Sequence, residues 1–183
     1  RLHMDRALAQ ASDGLGFIED GPLHAGPHPL DHAALLTKIG DIVVGRKDIK
    51  TAAYFLASAI DDIREGITHV VRGEDHVTNS GAQIEIFKAL GGTAPDMAHT
   101  PLLIGADGQG LSKRLGSLSM GELRAQGYEP MAVSSLLAKI GTSDNVEARE
   151  TLGQLVAEFD FGKIGRAPAR FDETELLSLN AAI

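Results

Sequence analysis

The sequence predicts an α/β fold that gives way to a helical unit, on three observations. Short apolar runs rich in β-branched residues, Asp41-Ile42-Val43-Val44-Gly45, Thr68-His69-Val70-Val71 and Leu102-Leu103-Ile104, alternate with stretches whose apolar residues recur at helical spacing. Beyond Met120 such runs stop and helical spacing alone continues. Glycine-bearing breaks at Gly91-Gly92, Gly141-Thr142-Ser143-Asp144 and Gly162-Lys163-Ile164-Gly165 separate the segments. Strands alternating with helices imply a parallel sheet covered by helices, with ligands at the carboxyl ends of its strands.

At the front, Leu2, Met4, Ala7 and Leu8 with polar residues between them predict a short helix or strand, and the Gly-, Pro- and His-rich residues 13 to 29 read as loop. The run at 41 to 45 reads as a buried strand, followed by a helix carrying Ala53, Leu56, Ala57, Ile60 and Ile63. After the second strand, Ser80-Gly81-Ala82-Gln83 reads as a capping box opening a helix through Ile84, Phe87 and Leu90, which Gly91-Gly92 ends. The third run completes the alternation. Leu123, Met131, Val133, Leu136, Leu137 and Ile140, then Leu152, Leu155 and Val156, then Leu176, Leu177 and Leu179 read as successive helices, with no strand among them. Leu136, Leu137 and Ile140 are expected to pack against their own neighbours.

With 183 residues and 43% hydrophobic content the chain can bury a core of one domain, or of one domain and part of a second. There is no apolar run of about 18 residues, so no membrane span is expected, and the opening residues do not resemble a secretion signal. Zero cysteines exclude disulfides and thiolate metal sites. A net charge of -8 confines any nucleic-acid contact to local basic patches. The chain opens on Arg1 and closes inside a predicted helix, which reads as a fragment.

Two loops carry chemistry. Gly110-Leu111-Ser112-Lys113-Arg114, among Gly105, Gly108 and Gly116, sets two cations in a backbone that glycine lets approach a phosphate closely; a solvated basic turn is the plainer reading. Arg72-Gly73-Glu74-Asp75-His76 follows the second strand, where such a sheet binds ligands. The Arg72 fork can hold a carboxylate bidentately, and Asp75 can accept from an amino group or a ribose hydroxyl. Alternatively the segment is a helix-entry loop, with Asp75 offsetting the helix dipole and Arg72 paired with Glu74. Asp61-Asp62 reads as structural, opposite Arg64.

Read together and in order, Asp61-Asp62-Ile63-Arg64-Glu65-Gly66-Ile67-Thr68-His69-Val70-Val71-Arg72-Gly73-Glu74-Asp75-His76, then Pro101-Leu102-Leu103-Ile104 and Gly110-Leu111-Ser112-Lys113-Arg114, resemble glutamyl-tRNA synthetase of the bacterial type. The resemblance continues through Tyr128-Glu129-Pro130 to Ile164-Gly165-Arg166-Ala167-Pro168-Ala169-Arg170-Phe171 and covers about residues 51 to 183. It implies a class I aminoacyl-tRNA synthetase that joins glutamate to the 3′ end of tRNA(Glu) through glutamyl-adenylate. Residues 1–117 would be the latter part of its Rossmann-like parallel-sheet catalytic domain, and 118–183 the start of an α-helical stem-contact domain. The substrates implied are glutamate, ATP with Mg²⁺, and the tRNA acceptor stem, with no structural metal; a cytoplasmic monomer is expected.

Carried over position by position, Lys113 falls on the second lysine of the family's KMSKS loop, which steadies negative charge as pyrophosphate leaves, making it the expected catalytic residue. Leu103, Leu111, Ser112, Arg114, Asp75 and His76 join Lys113 on the ATP side. Tyr54, Ser58, Arg72 and Glu74 fall on the glutamate side, Tyr54 and Ser58 being one helical turn apart. The division of duties among Glu74, Asp75 and His76 stays open. Gly110 replaces the first KMSKS lysine, leaving one cation fewer, and the family's HIGH motif and N-terminal half have no counterpart in the 183 residues. Residues 40 to 49 look more like glutamyl-queuosine tRNA(Asp) synthetase, a shortened relative and the second enzymatic reading; a non-catalytic module binding tRNA or a partner is the third. His24, His28 and His32, interrupted by Pro27 and Pro29, are not expected to bind metal, and His3 and His99 are expected to face solvent or be satisfied locally.

Overall fold

In the computed structural model, which describes residues 1–10, 16–105, 107–110 and 119–183, a four-stranded sheet organises one compact unit, Arg1–His99, and helices dominate another, Thr100–Ile183. The first begins with α1 (Met4–Gln10), which buries Met4 and Leu8. β1 (Gly16–Glu19) and β2 (Gly26–Pro29) then form an antiparallel hairpin, with Phe17 opposite His28 and their rings stacked 5.2 Å apart. This corrects the expected loop at 13 to 29. The strands are only four residues long, and Pro27 and Pro29 are tolerated because β2 lies at the sheet edge, where a missing N–H leaves no neighbour unpaired.

A short helix α2 (His32–Ala34), capped by the Asp31 side chain, runs into a π-helical turn at Leu35–Ile39. The expected strand at 41 to 45 is absent. Ile42 makes one isolated bridge to Leu2 and Gly45 one to Ala52, and while Ile42 is buried, Val43 is exposed, so the run lacks the two-sided burial that a sheet interior requires. α3 (Tyr54–Glu65) follows as expected and stops at Gly66, whose φ of 68° lets its N–H reach back to the Asp62 and Ile63 carbonyls.

β3 (His69–Gly73) continues through a single 3-10 turn, Glu74–His76, into α4 (Val77–Ala89). α4 therefore starts before Ser80, whose side chain is buried inside the helix instead of capping it. Every residue from Ser80 to Phe87 is buried, so the helix shows no polar face in this stretch. The strand that completes this β–α–β unit is β4 (Asp96–Thr100), with buried Met97, Ala98 and His99, not the run at Leu102-Leu103-Ile104. The sheet order is β2-β1-β4-β3, with Glu19 on β1 parallel to Met97 on β4. Beneath it Met4, Leu8, Leu35, Ile42, Ala59, Ala82, Ile86 and Phe87 form one core.

In the second unit β5 (Leu103–Ile104) is followed by α5 (Met120–Ala125), α6 (Pro130–Lys139), α7 (Leu152–Glu158), β6 (Ala169–Arg170) and α8 (Glu173–Ala182). β5 pairs in parallel with β6, a strand unforeseen because two residues carry no readable period. The helix starts are chemically explicit: Ser119 with Glu122 and Thr151 with Gln154 form capping boxes, Pro130 opens α6, and Asp172 caps α8. Leu123, Ala132, Leu136, Leu176 and Leu179 make the core. The two glycine breaks pair with each other, Ser143 N–H donating to the Lys163 carbonyl at 2.9 Å and Gly165 N–H to the Gly141 carbonyl at 2.7 Å. The expected domain seam near residue 117 lies outside the described residues.

Candidate active site

β3 delivers Arg72 to its carboxyl end, where the 3-10 turn and the first turn of α4 wrap around the guanidinium. Arg72 Nε donates to His99 Nε2 at 3.0 Å, one Nη donates to Gln83 Oε1, and the other to Ser80 Oγ at 2.8 Å and the His76 carbonyl at 3.4 Å. Arginine is the side chain for such a place, because its rigid fork can satisfy several acceptors and still present a planar cation. Burial draws its pKa below the ordinary arginine value, opposed chiefly by Tyr54 and Glu19 and then by Asp62 and Asp75, and the group stays charged at neutral pH.

Five further expected site residues lie around Arg72. Tyr54, at the start of α3, is exposed and its ring lies 6.1 Å from that of His76. Ser58, one turn along, accepts from Gln83 Nε2 at 3.3 Å, so Gln83 links it to Arg72. The expected pairing of positions 54 and 58 on one helix side thus has a partner on α4. His76 is held through Nδ1 by Asn79 Nδ2 at 3.1 Å, and its Nε2 is 3.9 Å from Asp75, whose side chain is exposed. Glu74 is half-buried in the same turn. Asp62 responds to this surrounding too: burial, then Asp61 and Glu65, push its carboxyl up, and Arg72 pulls it down.

Behind Arg72 lies a group of residues that the sequence did not disclose. His99, expected to face solvent or be satisfied locally, is fully buried, with its Nδ1 2.5 Å from Glu19 Oε2. Glu19 is itself buried and accepts from Gly21 N–H at 3.0 Å and His99 N–H at 2.6 Å. A Cβ on Gly21 would stand 2.5 Å from Glu19 Oε1 and from both His99 N and His99 O, so only glycine fits there. Glu19 and His99 are 80 residues apart, and no local pattern could have joined them.

The other expected residues belong to the second unit. Leu103 lies half-buried in β5, and beyond it Ile104 and Gly110 make an antiparallel bridge around a tight turn in which Gly105 N–H donates to the Gln109 carbonyl at 2.7 Å and Gly108 takes a φ of 78°. This hairpin is the entry to the basic loop. Leu111, Ser112, Lys113 and Arg114 themselves lie outside the described residues. Among the described residues, side chains that converge closely enough to hold a metal are His3 with Asp5 and Asp41, and Asp20 with His69 and Asp96; none belongs to the Arg72 cluster.

The family described as tRNA synthetases class I (E and Q), catalytic domain, matches residues 34–176. Relatives include glutamate–tRNA ligase 2 of Hyphomonas neptunium, 66% identical over 91% of this chain and 36% of its own length. Glutamate–tRNA ligase of Azospirillum brasilense is 52% identical over 89% of this chain and 34% of its own. A crystal structure of glutamate-tRNA synthetase from Elizabethkingia anophelis superposes with a TM-score of 0.69 at 25% identity, covering 94% of this chain and 37% of that one. The chain thus spans about a third of the length of these relatives. The names they carry do not favour the queuosine-specific alternative suggested by residues 40 to 49. By the matched residues and the shared fold, the chain belongs to the class I tRNA synthetases (E and Q), as part of their catalytic domain, among relatives named glutamate–tRNA ligases.

Proposed function

We propose that the protein containing these residues is a glutamate–tRNA ligase: it activates glutamate with ATP and passes the glutamyl group to the 3′ end of tRNA(Glu). The single observation that carries this reading is the convergence of Tyr54, Ser58, Arg72 and His76 at the carboxyl end of β3, in a chain whose relatives bear that name. Arg72 and Tyr54 form the glutamate side with Ser58 and Glu74. Asp75, His76, Leu103, Leu111, Ser112, Lys113 and Arg114 are the residues assigned to ATP, which arrives with Mg²⁺ as a substrate complex.

In the first step a glutamate carboxylate oxygen attacks the α-phosphorus and the bond to the β-phosphate oxygen breaks, releasing pyrophosphate. Charge builds on that leaving group, and Lys113 is the cation assigned to meet it. In the second step a ribose hydroxyl of the terminal adenosine attacks the acyl carbon, loses its proton, and AMP departs. Residues 118–183 are assigned to the acceptor stem as the start of the helical stem-contact domain, with 1–117 closing the catalytic domain. The protein acts as a cytoplasmic monomer in this reading; no helix among the described residues is long and apolar enough to cross a membrane.

Glutamate-dependent exchange of labelled pyrophosphate into ATP, measured with tRNA(Glu) present here and in every exchange assay below, tests it. The complete protein should show exchange, and Lys113→Ala should lower its rate by about 10²- to 10³-fold, the usual loss when one donor to a developing charge is removed. The isolated 183 residues should show none, since the family's HIGH half is not among them. Absence of exchange in the complete protein would overturn the reading, as would transfer of glutamate to the queuosine base of tRNA(Asp) instead of to a tRNA 3′ end.

A further inference from the structure

We infer that Glu19 and His99 are positioning residues for Arg72: the buried carboxylate fixes the imidazole tautomer, and that tautomer holds the guanidinium in the orientation in which it meets glutamate. This rests on the reading that the protein activates glutamate. An arginine Nε can only donate, so the His99 Nε2 lying 3.0 Å from it must accept. The ring proton then sits on Nδ1, facing the Glu19 carboxylate 2.5 Å away. Glu19 is held in turn by the N–H groups of Gly21 and His99, so its oxygens cannot swing.

The order of the contacts gives the direction of the effect. Glu19 and His99 are 2% and 0% exposed and lie behind Arg72, so neither reaches a substrate; whatever they do for binding passes through the guanidinium. A carboxylate that orients a histidine, which in turn orients the working group, is a recurring arrangement around metals and nucleophiles. Here the group being oriented is an arginine. Ser80 and Gln83 accept from its two Nη ends and His99 accepts from Nε, so the histidine bears on the tilt of the guanidinium plane.

Glu19→Gln isolates the tautomer from shape. Its amide oxygen can keep the two backbone N–H donors, which leaves its NH₂ facing His99 Nδ1. The ring must then accept at Nδ1 and carry its proton on Nε2, against a donor of Arg72. In pyrophosphate exchange by the complete protein, Glu19→Gln should raise the glutamate KM about tenfold, the scale of one hydrogen bond to a charged group, with the ATP KM within about twofold of wild type. A second pair of variants separates positioning from stability. In His99→Gln the amide oxygen can replace Nε2 and the glutamate KM should stay near wild type. In His99→Asn the amide replaces Nδ1 instead, so the Glu19 contact and the melting temperature are better kept while the glutamate KM rises.

A folded Glu19→Gln protein with an unchanged glutamate KM overturns the inference. Should Glu19→Gln not fold, a glutamate KM that follows melting temperature across the two His99 variants overturns it instead. Wild-type protein without glutamate-dependent exchange sinks the activity reading, an outcome distinct from either.

Discussion

Arg72 shows how much of a site can be built around one side chain. Its guanidinium is gripped by groups from α4, β4 and the 3-10 turn, so a lysine there could offer one point of contact where the fork offers several. Arg72→Lys should therefore raise the glutamate KM at least about tenfold in pyrophosphate exchange, even though charge is conserved. Gly21 is the tightest position nearby. Gly21→Ala would press a methyl carbon to 2.5 Å from His99 backbone atoms that cannot rotate away, and it should cost about 1–3 kcal/mol in denaturant unfolding. Gly21 drew no notice in the sequence, where it is one glycine of 21 in a stretch read as loop.

Among the elements, the second unit is specified by its helix ends and one packed seam. Ser119→Ala and Thr151→Ala each remove an acceptor for a first-turn N–H and half of a capping box, and each should cost about 1 kcal/mol by chemical denaturation. Leu136 is fully buried against Leu123, Leu176 and Leu179, so Leu136→Ala should cost about 2–5 kcal/mol. α6 and α8 were legible because their apolar residues repeat at helical spacing. β1 and β2 were not, being four residues each, with glycine at one end and prolines that normally argue against a strand. The run at 41 to 45 erred the other way: β-branched residues mark a strand only where a neighbour exists to pair with, and here only single bridges form.

On the scale of the whole molecule, charge sets the response to acid and salt. Lys139, almost buried, pairs with Asp144 at 2.8 Å and Glu158 at 2.6 Å, while Lys163 adds to Asp144 and Arg149 to Glu158. These cations hold both carboxyls below the usual carboxylate range, Lys139 first for Asp144 and Arg149 first for Glu158. Their folded pKa values lie below the unfolded ones, so their stabilisation is present above the ordinary carboxylate range and lost as pH falls through it toward the lowered values. Asp62 and Glu85 in the first unit are shifted up, mainly by burial, and act with the opposite sign. Amide protection factors should therefore fall in Pro130–Lys139 and Leu152–Glu158 on acidification below about pH 4 more than in Val77–Ala89, and Glu158→Gln should blunt that difference. If the complete protein binds tRNA as proposed, that binding should weaken as salt rises, because phosphate contacts release counterions.

The step from β3 into α4, the order of the Arg72 and Lys113 motifs and the helical continuation were readable from the chain, because each depends on residues within a few positions of one another. So was the family, through those motifs. The tertiary structure decided which strands pair, that β4 rather than the run after it completes the sheet, and that Ser80 faces an arginine instead of capping a helix. It also decided that Glu19 and His99 stand behind Arg72. Such contacts join residues up to 80 positions apart, and burial turns ordinary polar side chains into obligate partners once they are there, a constraint that no local pattern records.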